Sequence, residues 1–122
     1  ANCIILQPMT NRELIRPFLW ENGFEIIDEG LACEEGKIYL VVSSRYTGIR
    51  KVNNNRIKEL IGDILIQKNH PLLKDWVKEH IRKQKKAVSG LKCAKSAYDP
   101  EKIEIEERLL KELTELFDSL GG

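Results

Sequence analysis

Residues 24–43, FEIIDEGLACEEGKIYLVVS, hold two β-rich runs around one turn signal. Phe24 to Cys33 reads as a strand, Glu34-Glu35-Gly36 as a connection, and Lys37 to Ser43 as a second strand. A three-residue connection ending in glycine predicts an antiparallel hairpin with Gly36 in the left-handed region.

Upstream, Cys3-Ile4-Ile5-Leu6-Gln7-Pro8 is a short apolar run stopped by proline and reads as a buried strand, a type that needs neighbours on both edges. Between this run and the hairpin, Thr10 and Glu13 have capping-box spacing, which predicts a helix start there. Leu14, Ile15, Phe18 and Leu19 would line one helix face, and Asn22-Gly23 supplies the stop. Pro17 inside that helix predicts a kink and a freed carbonyl near Glu13. The order is strand, helix, strand, hairpin strand, an α/β pattern.

From Gly48 onward the composition changes. Asn53-Asn54-Asn55 marks a break before a helical stretch from Arg56 to about Gln67, and Asn69-His70-Pro71 precedes a longer helix to about Ser96. In that helix Leu73, Trp76, Val77, His80, Ala87, Val88, Leu91 and Ala94 fall within roughly 120° of one face. Lys74, Lys78, Arg82, Lys85, Lys86 and Lys92 occupy another arc of similar width. Asp99 followed by Pro100 opens a last helix as N-cap and first residue, with a stripe of Ile103, Leu109, Leu110, Leu113, Leu116, Phe117 and Leu120, and Gly121-Gly122 ends it. Two such amphipathic helices joined by a short turn can bury their stripes against each other as an antiparallel, coiled-coil-like hairpin. The expected domains are residues 1–48 and a helical domain, residues 49–122.

The formal charge of +1 conceals an asymmetry. Residues 1–48 carry 4 basic and 7 acidic side chains, residues 49–98 carry 13 and 4, and residues 99–122 carry 3 and 8. A segment as basic as the middle one suits a polyanion or an acidic partner segment, and the last helix is one such segment. The stripe of cations can therefore be a solvated face paired with the acidic helix, or a surface that meets several phosphates and releases their counterions. The aromatic of this helix, Trp76, falls on the packing stripe and none is expected to be exposed among the lysines, which favours structured RNA over stacked single-stranded bases.

Little other chemistry is visible. Cys3, Cys33 and Cys93 form no CxxC pair and read as reduced thiols, and His70 and His80 lack metal-ligand spacing, so no metal site is expected. His80 reads as a half-buried structural histidine. No nucleophile elbow, Walker A or dinucleotide glycine pattern occurs. No apolar run approaches the roughly 18 residues of a membrane span, and a cytoplasmic protein is expected.

The runs Ile5-Leu6-Gln7-Pro8, Ile15-Arg16-Pro17-Phe18-Leu19, Asn22-Gly23-Phe24, Ile27-Asp28-Glu29 and Glu34-Glu35-Gly36-Lys37-Ile38-Tyr39 resemble, in order and spacing, the pattern LILQP, LRxWL, NGF, I-x-E and ExGK-x-Y of the bacterial TrmK-type tRNA (adenine-N1)-methyltransferases. Phe18 stands where the family usually has tryptophan. The resemblance covers residues 3 to 66 and implies the second half of a Rossmann-like methyltransferase sheet of order 3-2-1-4-5-7-6. Residues 3–8 would be strand 5, residues 24–33 strand 6 and residues 37–43 the antiparallel strand 7, followed by a helical domain that holds tRNA.

The family's cofactor loops occur nowhere in this chain. The resemblance thus implies a carboxy-terminal fragment that contributes no cofactor-binding residue, with S-adenosyl-L-methionine bound by the missing amino-terminal half. The strand at Cys3 to Pro8 would pair with that half or with a second copy. Gln7 and Pro8 would lie near substrate, and Lys74, Lys78, Arg82, Lys85, Lys86 and Lys92 would bind tRNA. The catalytic residues are unassigned, and the fragment alone is expected to be inactive. The competing reading is a non-catalytic helical module for protein association.

Overall fold

The computed structural model describes residues 3–8, 12–52, 55–94 and 98–120. Strand β1 is Cys3–Leu6, helix α1 Ile15–Glu21, strand β2 Phe24–Glu34 and strand β3 Lys37–Tyr46. Helices α2, Arg56–Leu60, α3, Asp63–Gln67, α4, Leu73–Cys93, and α5, Pro100–Leu120, follow. The chain divides into two compact units, residues 1–73 and 74–122, so residues 49–73 belong with the strands.

In the first unit β3 lies in the middle of the sheet, in the order β1-β3-β2, and is antiparallel to both neighbours. Its alternation explains that place: Ile38, Leu40, Val42 and Ser44 are buried, and the residues between them are half-buried. The hairpin loop is one residue shorter than expected. Glu34 pairs with Lys37, leaving only Glu35 (φ 51°) and Gly36 (φ 78°) in the turn, both left-handed. β1 is not the buried strand expected. Ile5 is 70% exposed, because among the described residues β1 is an edge paired only with β3. In β2 the register slips between Ile26 and Asp28, so Ile27 is an extra, bulged residue.

A 3-10 turn, Arg12–Leu14, precedes α1. The Thr10 half of the expected capping box lies outside the described residues, and no side chain caps α1 at Leu14. Pro17 falls in the first turn of α1, whose N–H groups have no partner inside the helix, so the ring breaks no bond of it and the reason for a kink disappears. The Asn22-Gly23 stop is present, with Gly23 at φ 82°. The buried face is not the one expected. Leu14 and Phe18 are exposed, while Leu19 and the charged Arg16 are buried.

Arg16 reaches Glu29, and each is about as buried as a core leucine. Its Nη1 donates to the carbonyls of Glu59 (3.0 Å) and Leu60 (3.3 Å), and its Nη2 to Ile61 (3.0 Å), the orphan carbonyls at the end of α2. Glu29 Oε1 accepts from the Ile64 N–H (3.1 Å) in the first turn of α3. The cation thus caps a helix carboxyl end and the anion a helix amino end, each at the pole of the helix dipole that favours it. Burial pulls the Arg16 guanidinium below its usual pKa, and Glu29 opposes that shift.

This pair corrects the expected single helix over 56–67. Gly62 separates α2 from α3 at φ 104°, and a Cβ there would lie 2.6 Å from both Glu29 oxygens and closer still to Arg16. Asn55 caps α2, its Oδ1 accepting from Ile57 N (3.0 Å) and Lys58 N (3.3 Å); Asn53 and Asn54 lie outside the described residues.

In the second unit Asp99 caps α5, its Oδ1 accepting from Glu101 N (3.1 Å) and Lys102 N (3.2 Å), with Pro100 as first residue as expected. Ile103, Leu109 and Leu113 are buried. Lys74 lies over the Phe117 ring at 5.1 Å and Gln84 Nε2 donates to the Glu106 carbonyl (2.9 Å), the order of contacts that helices running in opposite directions produce. On α4 Trp76, Val77 and Val88 are buried as the stripe predicts. Ala87 is exposed and Gln84 is buried instead, because its amide is used against the α5 backbone. α4 ends at Cys93; Ser96, Gly121 and Gly122 lie outside the described residues.

Candidate nucleic-acid interface

Helix α4 presents its cations at i, i+4 and i+7/8 steps, which at about 1.5 Å rise per residue spreads Lys78 to Lys86 over roughly 12 Å. All six side chains of the stripe are exposed. They differ in what they already hold. Lys74 rests on the Phe117 ring, and Lys92 pairs with Glu107 of α5 at 3.5 Å. Lys78, Arg82, Lys85 and Lys86 have no ion pair among the described residues. These four therefore form an uncompensated positive strip, and the two ends of the stripe are turned toward α5. Lys83, off the arc, pairs with Glu79 at 3.7 Å.

Gln7 and Pro8 follow the last residue of β1, beyond the carboxyl end of an α/β strand where such sheets place ligands. Gln7 is exposed and Pro8 half-buried. They belong to the first compact unit and the α4 cations to the second. His80 is half-buried with its ring edge-on to Trp76 at 4.6 Å. Cys3, Cys33 and Cys93 are free thiols. Among the described residues no three His, Cys, Asp or Glu side chains converge as a metal set, and no helix is long and apolar enough to cross a membrane.

Sequence periodicity finds the α4 strip but not Lys51, an exposed cation on the irregular segment after β3, because a residue outside a helix or strand has no period.

Comparison with curated proteins returns no match. Solved structures do match in fold. A Streptococcus agalactiae protein of the NADB-Rossmann superfamily aligns with TM-score 0.71 at 20% identity, over 96% of this chain and 48% of that one. A Streptococcus pneumoniae protein assigned as a tRNA (m1A22) methyltransferase, in complex with S-adenosyl-L-methionine, gives 0.69, 20%, 96% and 48%. The Bacillus subtilis m1A22 tRNA methyltransferase TrmK gives 0.66, 21%, 98% and 51%. The chain spans about half the length of these structures. The sequence itself matches a family description over residues 1–115, nearly its whole length, and the chain belongs to that family, TrmK, tRNA (adenine(22)-N(1))-methyltransferase.

Proposed function

We propose that this chain is the tRNA-holding, carboxy-terminal half of an S-adenosyl-L-methionine-dependent tRNA (adenine-N1)-methyltransferase that works in the cytoplasm. The observation that carries the reading is the strip of four unpaired cations on α4, in a chain of this family. The order β1-β3-β2 with β3 antiparallel supports reading the strands as 5, 7 and 6 of a methyltransferase sheet. The opposed contacts of α4 and α5 support a coiled-coil-like hairpin. Gln7 and Pro8 would face the substrate side, and Lys74 and Lys92 would flank the four free cations on the tRNA.

S-adenosyl-L-methionine supplies the methyl group when bound, and its site belongs to the amino-terminal half. The residues of this chain bind and orient the acceptor. N1 of adenine takes part in base pairing, so the target must be held unpaired, and phosphate contacts on α4 would fix the tRNA while it is opened. The exposed apolar side chain of Ile5, on the edge strand β1, suits cover by the other half or by a second copy. The chain alone is expected to transfer no methyl groups.

The test is a tRNA titration at several salt concentrations, with native chain and with Lys78, Arg82, Lys85 and Lys86 all changed to Glu. Four phosphate contacts predict a slope of log K against log salt of roughly −3, lost in the variant. Absence of binding at low salt rejects the reading. The alternative, a non-catalytic association module, is favoured by the Lys92–Glu107 pair between the helices, and it requires no tRNA affinity.

A further inference from the structure

At the end of the sheet where β2 begins and β3 ends, opposite to Gln7 and Pro8, the chain folds back over α1 and β2. Thr47 N and Gly48 N donate to the Gly23 carbonyl (2.9 and 3.0 Å), and Lys51 N to that of Trp20 (3.0 Å). Between this segment and α3 lies a cleft of about 600 Å³, a size that suits a small ligand. Trp20, Phe24, Ile26, Ile49, Val52 and Ile64 give it apolar walls.

Its walls carry three cationic and three anionic side chains, and five of the six are in ion pairs, Glu25 with Arg45 outside the lining. Arg16 is held by Glu29, Lys58 lies 3.5 Å from Asp63, and Glu25 is 2.9 Å from Arg45. That leaves Lys51 as the lining charge without an ion pair among the described residues, and Gln67 as a lining amide without a hydrogen bond there. The cleft offers a stacking face, one amide that both donates and accepts, and one positive charge.

We propose that this cleft binds one unpaired nucleotide of an RNA strand, with its base against Trp20, its edge read by Gln67 and its phosphodiester on Lys51. A base has a flat apolar face and a polar edge, and stacking on an aromatic side chain is tolerant of sequence. An amide can pair with an adenine edge at two points. A phosphodiester carries a single negative charge, which one lysine balances, whereas a free nucleotide's terminal phosphate carries nearly two. The site stands independently of the α4 strip, at the sheet end away from the proposed methyl-transfer side.

The test uses the full chain, with the two indole N–H resonances of Trp20 and Trp76 as reporters. The dinucleotide ApA is expected to shift the Trp20 signal saturably, about tenfold more tightly than adenosine, and more tightly than AMP. Lys51→Glu should abolish the shift and Gln67→Ala should weaken it, while the fourfold Lys78, Arg82, Lys85 and Lys86 to Glu variant should retain it. The proposal is overturned if ApA gives no saturable shift, if adenosine or AMP binds as well as ApA, or if Lys51→Glu binds like the native chain.

Discussion

In the first unit the charged pair of Arg16 and Glu29 is carried into the interior, 1% and 2% exposed, Arg16 reaching carbonyls 43 to 45 positions away in sequence and Glu29 an N–H 35 positions away. In the second unit the basic strip of α4 stays in water, and the buried polar side chain is the neutral Gln84. Two long amphipathic helices satisfy their own backbones and need only an apolar seam. The first unit has helices of five residues at α2 and α3, too short to persist alone, whose facing ends leave backbone groups unbonded. Arg16 and Glu29 close both ends at once. Buried charge here replaces missing helix length, and the surface charge of α4 is left free for another molecule.

The largest expected effect breaks that contrast at its centre. Glu29→Ala leaves the Arg16 guanidinium buried without its carboxylate and Ile64 N–H without its acceptor, a loss of about 3–5 kcal/mol in denaturant unfolding followed at Trp20. Gly62→Ala attacks the same junction through backbone strain and a clash with both charged groups, and about 3 kcal/mol is expected in the same measurement. In the second unit Leu113→Ala, in a fully buried site, should cost about 2–4 kcal/mol by cavity formation, read from thermal unfolding. Asn55→Ala removes the α2 cap and should cost about 1 kcal/mol.

The smallest effect is a pH dependence. The Lys68 hydrogen bond (3.0 Å), and then a backbone hydrogen bond with Glu29, hold the Asp28 carboxyl below the usual carboxylate range. Its contribution is therefore complete above an ordinary pKa of about 4 and is lost as pH falls through the lowered value. The side chains are open to solvent, so this amounts to a few tenths of a kcal/mol. Asp28→Asn should lower stability at neutral pH by that amount and leave it unchanged at pH well below the lowered value, so that the acid limb of the stability curve is flatter.

Much of this was legible where the signal is local. A β-rich run marks β3, Gly36 marks the hairpin, Asp99-Pro100 and Asn55 mark helix starts, and the 3.6-residue period isolates the α4 strip. The rest depends on residues distant in sequence. Arg16 lies off the apolar stripe read for α1, and its burial is legible only once Glu29 and the α2 carbonyls are placed beside it. Residues 56–67 read as one helix because nothing local shows that Gly62 must leave room for those two side chains. Gln84 displaces Ala87 from the buried face because an amide can reach a carbonyl of α5. The nucleotide cleft draws on α1, β2, α2, α3 and the segment after β3, and no sequence window contains it.

The bulge at Ile27 gives β2 a tolerance to change in length that its neighbours lack. Deleting one residue elsewhere in a paired strand turns every later side chain to the opposite face. Ile26 and Asp28 already pair with consecutive residues of β3, Ser44 and Ser43, so losing Ile27 would join two segments whose faces agree. Glu29 would still point at Arg16. A relative one residue shorter at this point could keep the buried pair, and a deletion at any paired position between Asp28 and Glu34 could not do so without shifting the register of the hairpin.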